Sequence, residues 1–435
     1  MHIIPEQRKL LLKPMEIFCL IILVLSLLFL SSCKYKQSPP PPNYNLMGEL
    51  PPVDTTVPRV NIIWDKIAKK VSHAVYFAEY GRIKRLDGDT ILLTYHCGSK
   101  ENEWDNIALR KSADNGKTWS PAQIIVPDND PHYNGFSTPD LSVLKNGWLL
   151  LAYSGRGIPD DSTHNNLQVR ISKDKGETWG GVNIVALGRC WEPGIVQLPD
   201  GEIQLFFSNE ILSSKGARFR YEQKVMMITS RNNGISWSVP KMVAFTPGCR
   251  DGMPVPIILK DNKGIVFPIE AVYNKKSPEI LWASMKARWN YKGVGTVKNG
   301  RRWYGGVNPI WGGAPYRLQL PTGETVISMQ TEGGRSIDRY REWKNNTMLV
   351  MVGNSMAKNF SNISRPYPNL PEDHGAYFSS LFLKNDSTLV LVSTRTFPDK
   401  NSGIYWKEGH ILGPIIAKLS SYGVKNKNIK KVKTF

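Results

Sequence analysis

Apolar runs broken by tight polar turns dominate this chain. RIKRLDGDTILLTYH (82–96), LSVLKNGWLLLAYS (141–154), IVQLPDGEIQLFFS (195–208), PIILKDNKGIVFPIE (256–270), RLQLPTGETVISMQ (317–330) and SLFLKNDSTLVLVS (380–393) share one shape. Each is an apolar strand, a turn of the Asp-Gly or Asn-Gly kind and a second apolar strand, which predicts a β-hairpin. The six units start roughly 50–65 residues apart. A second phrase follows the first three hairpins: SADNGKTW (112–119), SKDKGETW (172–179) and SRNNGISW (230–237). In it Asp114, Asp174 or Asn232 can accept hydrogen bonds from the turn's own backbone, Gly supplies a positive φ, and Trp packs between sheets. These are folding devices of an outer rim. Hairpin plus linking turn, repeated six times, predicts an all-β fold: a six-bladed β-propeller of four-stranded antiparallel blades around a central funnel.

The Ser-x-Asp-x-Gly-x-x-Trp turns resemble the Asp-boxes of the sialidase superfamily, whose members are six-bladed propellers; the resemblance spans roughly residues 70–420. In such a fold the innermost strand of each blade opens at the funnel mouth. Here those openings are EYGR (79–82), STPD (137–140), RCWEPG (189–194), CRDGMP (249–254), GGAPYR (312–317) and PEDHGAYF (371–378). Glu79, Arg82, Asp140, Glu192, Arg250, Asp251, Arg317, Asp373, His374 and Tyr377 are therefore expected to converge. A solvated strand end is also polar, but all the openings carry such residues.

Glycoside hydrolysis uses two carboxylates, one to protonate the leaving oxygen and one to attack or activate water. Glu192 stands at a funnel-facing strand start beside Trp191. Glu270 ends the apolar strand GIVFPIE, where a carboxylate must be paired, hydrogen-bonded or functional; an ion pair with Arg250 is the structural alternative. A sialidase would need three arginines, a Tyr nucleophile and an Asp acid. Arg82 and Arg317 supply two guanidinium groups, with Arg156, Arg335 or Arg395 as a third. FFSNE (206–210) lacks an arginine, Phe378 stands where Tyr is expected, and Tyr377 comes one residue early. Glu101, Glu103 and Asp105 lie near the place of the Asp acid.

WEPGIVQLPDGEI, RDGMPVPIIL…FPIE and GAPYRLQLPTGETVISMQTE resemble stretches of exo-1,5-α-L-arabinanases. That resemblance implies an exo-acting, retaining glycoside hydrolase of extracellular glycans, with Glu192 as acid/base and Glu270 as nucleophile. Arg82, Asp140, Trp191, Arg250, Asp251, Arg317 and Tyr377 are expected at the substrate, with Trp311 as a further sugar platform. An exo-α-sialidase and a non-catalytic glycan-binding lipoprotein are the alternatives. His73, His96, His132, His164 and His374 show no metal-ligand spacing, and neither cofactor nor metal is expected.

Composition changes this picture little. Of 435 residues, 41% are hydrophobic, enough for a large core, and the formal charge is +19. That charge favours acidic glycans or a membrane surface over nucleic acid, for which no motif is present. Arg8, Lys9 and Lys13 precede an apolar run, Ile17–Leu30, of signal-peptide size. The run ends in Leu30-Ser31-Ser32-Cys33, which resembles a bacterial lipobox and implies lipidation at Cys33. The expected organisation is a signal peptide (1–32), a Pro-rich tether (33–58), the propeller (59–421) and a basic tail (422–435). A monomer, exported and lipid-anchored to a bacterial outer membrane, is expected. Cys97, Cys190 and Cys249 remain, so a Cys190–Cys249 disulfide and free buried thiols are both open.

Overall fold

The computed structural model describes residues 49–413, apart from 74–75, 99–105, 159–161, 214–219, 273–276, 292–299, 308–309 and 337–341. Cys33, the leader, the basic tail and the loop carrying Glu101, Glu103 and Asp105 lie outside the described residues. Strands make up the described chain, with short 3-10 turns as its helical elements. No described helix is long and apolar enough to cross a membrane.

The sheets follow one another in chain order. Phe77–Asp87, Thr90–Gly98, Asn106–Ser112 and Gln123–Val126 form the first, and Tyr133–Val143, Leu149–Gly157, Asn166–Ser172 and Asn183–Leu187 the second. The third run is Cys190–Gln197, Ile203–Leu212, Tyr221–Ser230 and Lys241–Ala244; the fourth is Ile257–Ile258, Ile265–Val272, Glu279–Ala283 and Arg302–Tyr304. These two runs are fused into one nine-stranded sheet by Arg250–Gly252, which pairs parallel at Gln223 and antiparallel at Glu270. Gly313–Gln319, Thr325–Thr331, Thr347–Gly353 and Ser361–Ser364 come next. The last sheet comprises Gly375–Asn385, Thr388–Thr396 and Ser402–Leu412, and it borrows Asn61–Trp64 from the start of the chain.

Apolar clusters sit between consecutive sheets. Leu92, Leu109, Leu141 and Leu151 join the first to the second, and Leu150, Leu167, Leu205 and Phe207 the second to the third. Phe206 with Phe267, Trp282 with Met351, and Val350 with Leu391 continue the series. Ile83, Leu93, Val390 and Trp406 then join the last sheet to the first, closing a β-propeller ring. A sheet held between two others loses water on both faces, so its strands need apolar residues at every position. That is why Thr90–Gly98 and Leu149–Gly157 are buried along nearly their whole length.

The three rim phrases fold alike. Asp114 accepts from the Ser112 hydroxyl at 2.8 Å and the Thr118 N–H at 2.9 Å, and Asp174 repeats both contacts with Ser172 and Thr178. Asn232 accepts from Ser230 at 3.0 Å and from the Ser236 N–H at 2.9 Å, without charge. Gly116 has φ +88°, and a Cβ there would meet Trp406 of the neighbouring sheet at 2.6 Å. Cys190 and Cys249 are buried thiols, and no Cys190–Cys249 bridge forms; Cys97 is buried as well.

Candidate active site

Each inner strand opens on a non-glycine residue with positive φ: Tyr80 60°, Thr138 50°, Glu192 56°, Met253 57°, Ala314 42° and Phe378 45°. Proline follows four of them, at 139, 193, 254 and 315. Register breaks coincide with these turns, as between Trp191 and Gly194 or Gly313 and Tyr316. Such bulges re-aim side chains, here toward the axis, and they store strain of about 1–3 kcal/mol each. Tyr80, Met253, Ala314 and Phe378 pack together there.

Every opening turn presents a backbone N–H to a polar side chain of the preceding sheet. Tyr80 donates to Thr394 Oγ1 at 3.1 Å, Thr138 to His96 Nδ1 at 3.3 Å, and Met253 to Ser208 Oγ at 2.9 Å. Phe378 donates to Gln330 Oε1 at 3.2 Å, and Glu192 to Thr138 Oγ1 at 3.1 Å. At the Ala314 turn the acceptor is Glu270 Oε2, at 2.6 Å. Gly313 makes that approach possible: a Cβ there would stand 2.6 Å from Glu270 Oε2 and 2.7 Å from the Trp311 ring.

Glu192 and Glu270 open into one pocket of about 410 Å³, a volume in the range of small-molecule sites. Trp191, Trp311, Trp343 and Phe378 give it aromatic walls, and Gln223, Gln330, Glu210 and Arg250 its remaining polar groups. Glu192 Oε2 accepts from the Ser208 hydroxyl at 2.7 Å and the Met253 N–H at 3.0 Å. Burial raises the pKa of Glu192, and those donors with Arg250 oppose the rise. Burial first, and the Glu192 charge second, push Glu270 up to about 7, against the Ala314 N–H and Arg250. The pair titrates as a unit.

Residues 64–245 match the BNR repeat-like domain family. That match covers the first three sheets of the ring, and the chain as a whole folds as a β-propeller. Among solved structures it resembles a protein of unknown function from Dyadobacter fermentans, with TM-score 0.62 and 14% identity over 82% of this chain and 100% of that one. It also resembles the GH93 α-L-arabinofuranosidase of Fusarium graminearum in complex with arabinobiose, with TM-score 0.53 and 20% identity over 78% of this chain and 94% of that one. The NanB sialidase of Streptococcus pneumoniae gives TM-score 0.53 and 11% identity over 80% of this chain and 70% of that one. At these identities the likeness shows the fold. A comparison with curated proteins returns no match.

The propeller brings together only part of the expected substrate set. Trp191 and Arg250 line the pocket with the two glutamates, as does Trp311. Arg250 does not pair with Glu270. Its Nη2 donates to Glu210 Oε1 at 2.7 Å and its Nη1 to the Tyr221 carbonyl at 3.0 Å. Arg189 holds the other Glu210 oxygen at 2.5 Å. Burial would raise the pKa of Glu210, but Arg250 and Arg189 outweigh it and hold the carboxyl below its usual range.

Three expectations need correcting. Asp251 is fully buried and does not face the pocket; Arg302 grips it through both terminal nitrogens, at 2.8 and 3.0 Å, and Arg302 Nε also binds Glu279. Tyr377 is turned away into the core, where its hydroxyl donates to Glu79, and Phe378 takes its place at the pocket. Arg82, Asp140 and Arg317 line a separate small cavity further along the inner strands. The bulge is the physical reason: it shifts which residue of each opening faces the mouth, so residues two or three places on are carried deeper.

Among the described residues no arginine triad forms at the pocket. Arg156 lies behind Trp191, its guanidinium carbon 2.9 Å from the ring centroid and its Nη2 on the Cys190 carbonyl. Arg335 binds the carbonyls of Pro371 and His374, and Arg395 binds that of Gly375. Asp373 and His374 pair with each other at 2.8 Å, away from the pocket. Among the described residues no group of three or more His, Cys, Asp and Glu could hold a metal ion.

Sequence reading missed Glu210, Gln223, Gln330, Trp343 and Met253. The signal that could have found the ring is the residue-Pro pair opening four inner strands, since proline restricts the residue before it.

Proposed function

We propose that this propeller is an exo-acting, retaining glycoside hydrolase of extracellular glycans, with arabinan-type chains as its substrate class. One observation carries the reading: two carboxylates of raised pKa share a single aromatic-walled pocket, and one of them occupies a backbone-acceptor position that neutral groups fill elsewhere. A raised pKa on a carboxyl in a pocket suits the acid role at neutral pH, while its partner must be ionised to attack.

In the proposed mechanism Glu192 donates a proton to the departing glycosidic oxygen while Glu270 attacks the anomeric carbon. Glu192 then takes a proton from the water that hydrolyses the glycosyl-enzyme, returning the anomeric configuration to that of the substrate. The step requires the pair's proton on Glu192 and an ionised Glu270. Trp191, Trp311 and Trp343 offer apolar faces for a sugar ring. The GH93 enzyme seen with arabinobiose supports the choice of substrate class. Arg250, already neutralised by Glu210, gives little grip for the carboxylate of a sialic acid. We count the ring as six blades by dividing the nine-stranded sheet at Arg250–Gly252, and we place it behind a lipid anchor on Cys33.

Hydrolysis of nitrophenyl α-L-arabinofuranoside and linear 1,5-arabinan, measured beside a sialoside, tests the proposal. Arabinose release that falls about 10³-fold or more in Glu192→Gln supports it. Turnover of the sialoside alone returns the sialidase reading. Binding of arabinan with no turnover across a broad glycoside panel makes the protein a glycan-binding module.

A further inference from the structure

Further along the inner strands from the carboxylate pocket, Arg82, Lys84, Asp140, Tyr316 and Arg317 line a cavity of about 50 Å³. Arg317 is 1% exposed, and Nε, Nη1 and Nη2 all lack a hydrogen-bond partner. Its neighbours do not neutralise it. Asp140 receives Lys84 Nζ at 3.6 Å and the Ile195 N–H at 2.9 Å. Arg82 lies 3.7 Å over the Tyr80 ring and donates Nη1 to the carbonyls of Gly81 and Ser379, each at 3.2 Å. Three cations (Arg82, Lys84, Arg317) against one carboxylate (Asp140) leave an excess of two positive charges around the cavity.

Burial alone lowers the pKa of Arg317 to about 9, with no opposing interaction. A buried, unpaired guanidinium is costly, and buried charges are ordinarily paired. The cavity has no room for a sugar; it suits one or two water-sized guests, each of roughly 30 Å³ in the liquid. Water would satisfy the N–H groups but leave the charge. A monatomic anion does both.

We propose that this cavity binds a single halide ion, chloride under ordinary conditions, held by the Arg317 guanidinium in the positive field of Arg82 and Lys84. The ion ties the inner strands Phe77–Asp87, Tyr133–Val143, Cys190–Gln197 and Gly313–Gln319 to one another on the ring axis. Two of these strands carry Glu192 and the Ala314 N–H that holds Glu270. The site is independent of the hydrolase reading and stands or falls without it.

The test compares the purified protein in sodium gluconate and in sodium chloride at equal ionic strength. We expect chloride to raise Tm by about 2–4 °C, as for a ligand bound at concentrations well above its Kd. Crystals soaked in bromide should show an anomalous peak at the Arg317 guanidinium. In Arg317→Met the chloride-specific rise should vanish. Equal Tm in the two salts, or water without a bromide peak beside Arg317, overturns the proposal. Should Arg317→Met fail to fold, the salt comparison and bromide soak on the unaltered protein still decide it.

Discussion

The turn at Ala314 and the turn at Phe378 are two copies of one device. Each has a positive φ and a backbone N–H aimed at the second strand of the preceding sheet. At Phe378 the acceptor is Gln330, a neutral amide; at Ala314 it is Glu270. Thr394 and Ser208 do the same work with hydroxyls and His96 with a ring nitrogen. At Met253 the Ser208 hydroxyl shares the N–H with Glu192, which comes from an inner strand. At the second-strand position the fold therefore asks for an acceptor and does not ask for a charge. Glu270 carries one nonetheless, at the wall of the pocket that also holds Glu192. Where a site breaks a local rule that its own repeats obey, function is the economical explanation.

Replacing Glu270 by Gln makes the first turn a copy of the second and is the largest expected effect. Activity should fall about 10³-fold or more, read as kcat on the best substrate, while the amide oxygen keeps the Ala314 bond. Stability should move the other way. Glu270 titrates near 7 in the fold and near 4.5 in the unfolded chain, so between those values the native state holds a proton the unfolded state has lost. Native stability therefore falls as pH rises through that window. Glu270→Gln should be the more stable protein at pH 8, by on the order of 2 kcal/mol, and no more stable at pH 4. Thermal unfolding at the two pH values checks both signs.

The strand joining the carboxylate-bearing sheets offers the next test. Asp251→Asn removes one carboxylate from buried Arg302 but leaves Glu279 on it, so the cost should fall below the roughly 3–5 kcal/mol of a fully broken buried pair. Denaturant unfolding should show that loss, with activity at low temperature reduced far less than in Glu270→Gln. Trp343→Ala should raise KM about tenfold with a smaller change in kcat, the mark of lost ground-state binding. Asp114→Asn should be mildest, with a smaller fall in Tm than Asp251→Asn. The third rim phrase already folds with Asn232 in that place.

These differences also show what the chain made legible. The hairpins and rim turns were readable because each rests on local rules, apolar runs and Gly at positive φ. Glu192 and Glu270 stood out as charges against apolar strands. The rest of the pocket was hidden by the bulges. A register shift of this kind moved Arg82, Asp140 and Arg317 off the mouth and exchanged Tyr377 for Phe378. Glu210 and Trp343 come from positions whose neighbours in space lie on other sheets, and only the assembled ring relates them. The closing strand Asn61–Trp64 was likewise unreadable, because its partner, Ser402–Leu412, lies at the far end of the chain.

The central claim is that Glu270 attacks and Glu192 manages the proton. Incubation with an activated 2-deoxy-2-fluoro-arabinofuranosyl donor, followed by intact mass and peptide mapping, tests it most directly. The account predicts one added glycosyl group per chain, on Glu270, accumulating in the unaltered protein and absent from Glu270→Gln. A label on Glu192, or steady turnover of that donor with inversion and no adduct, would contradict it.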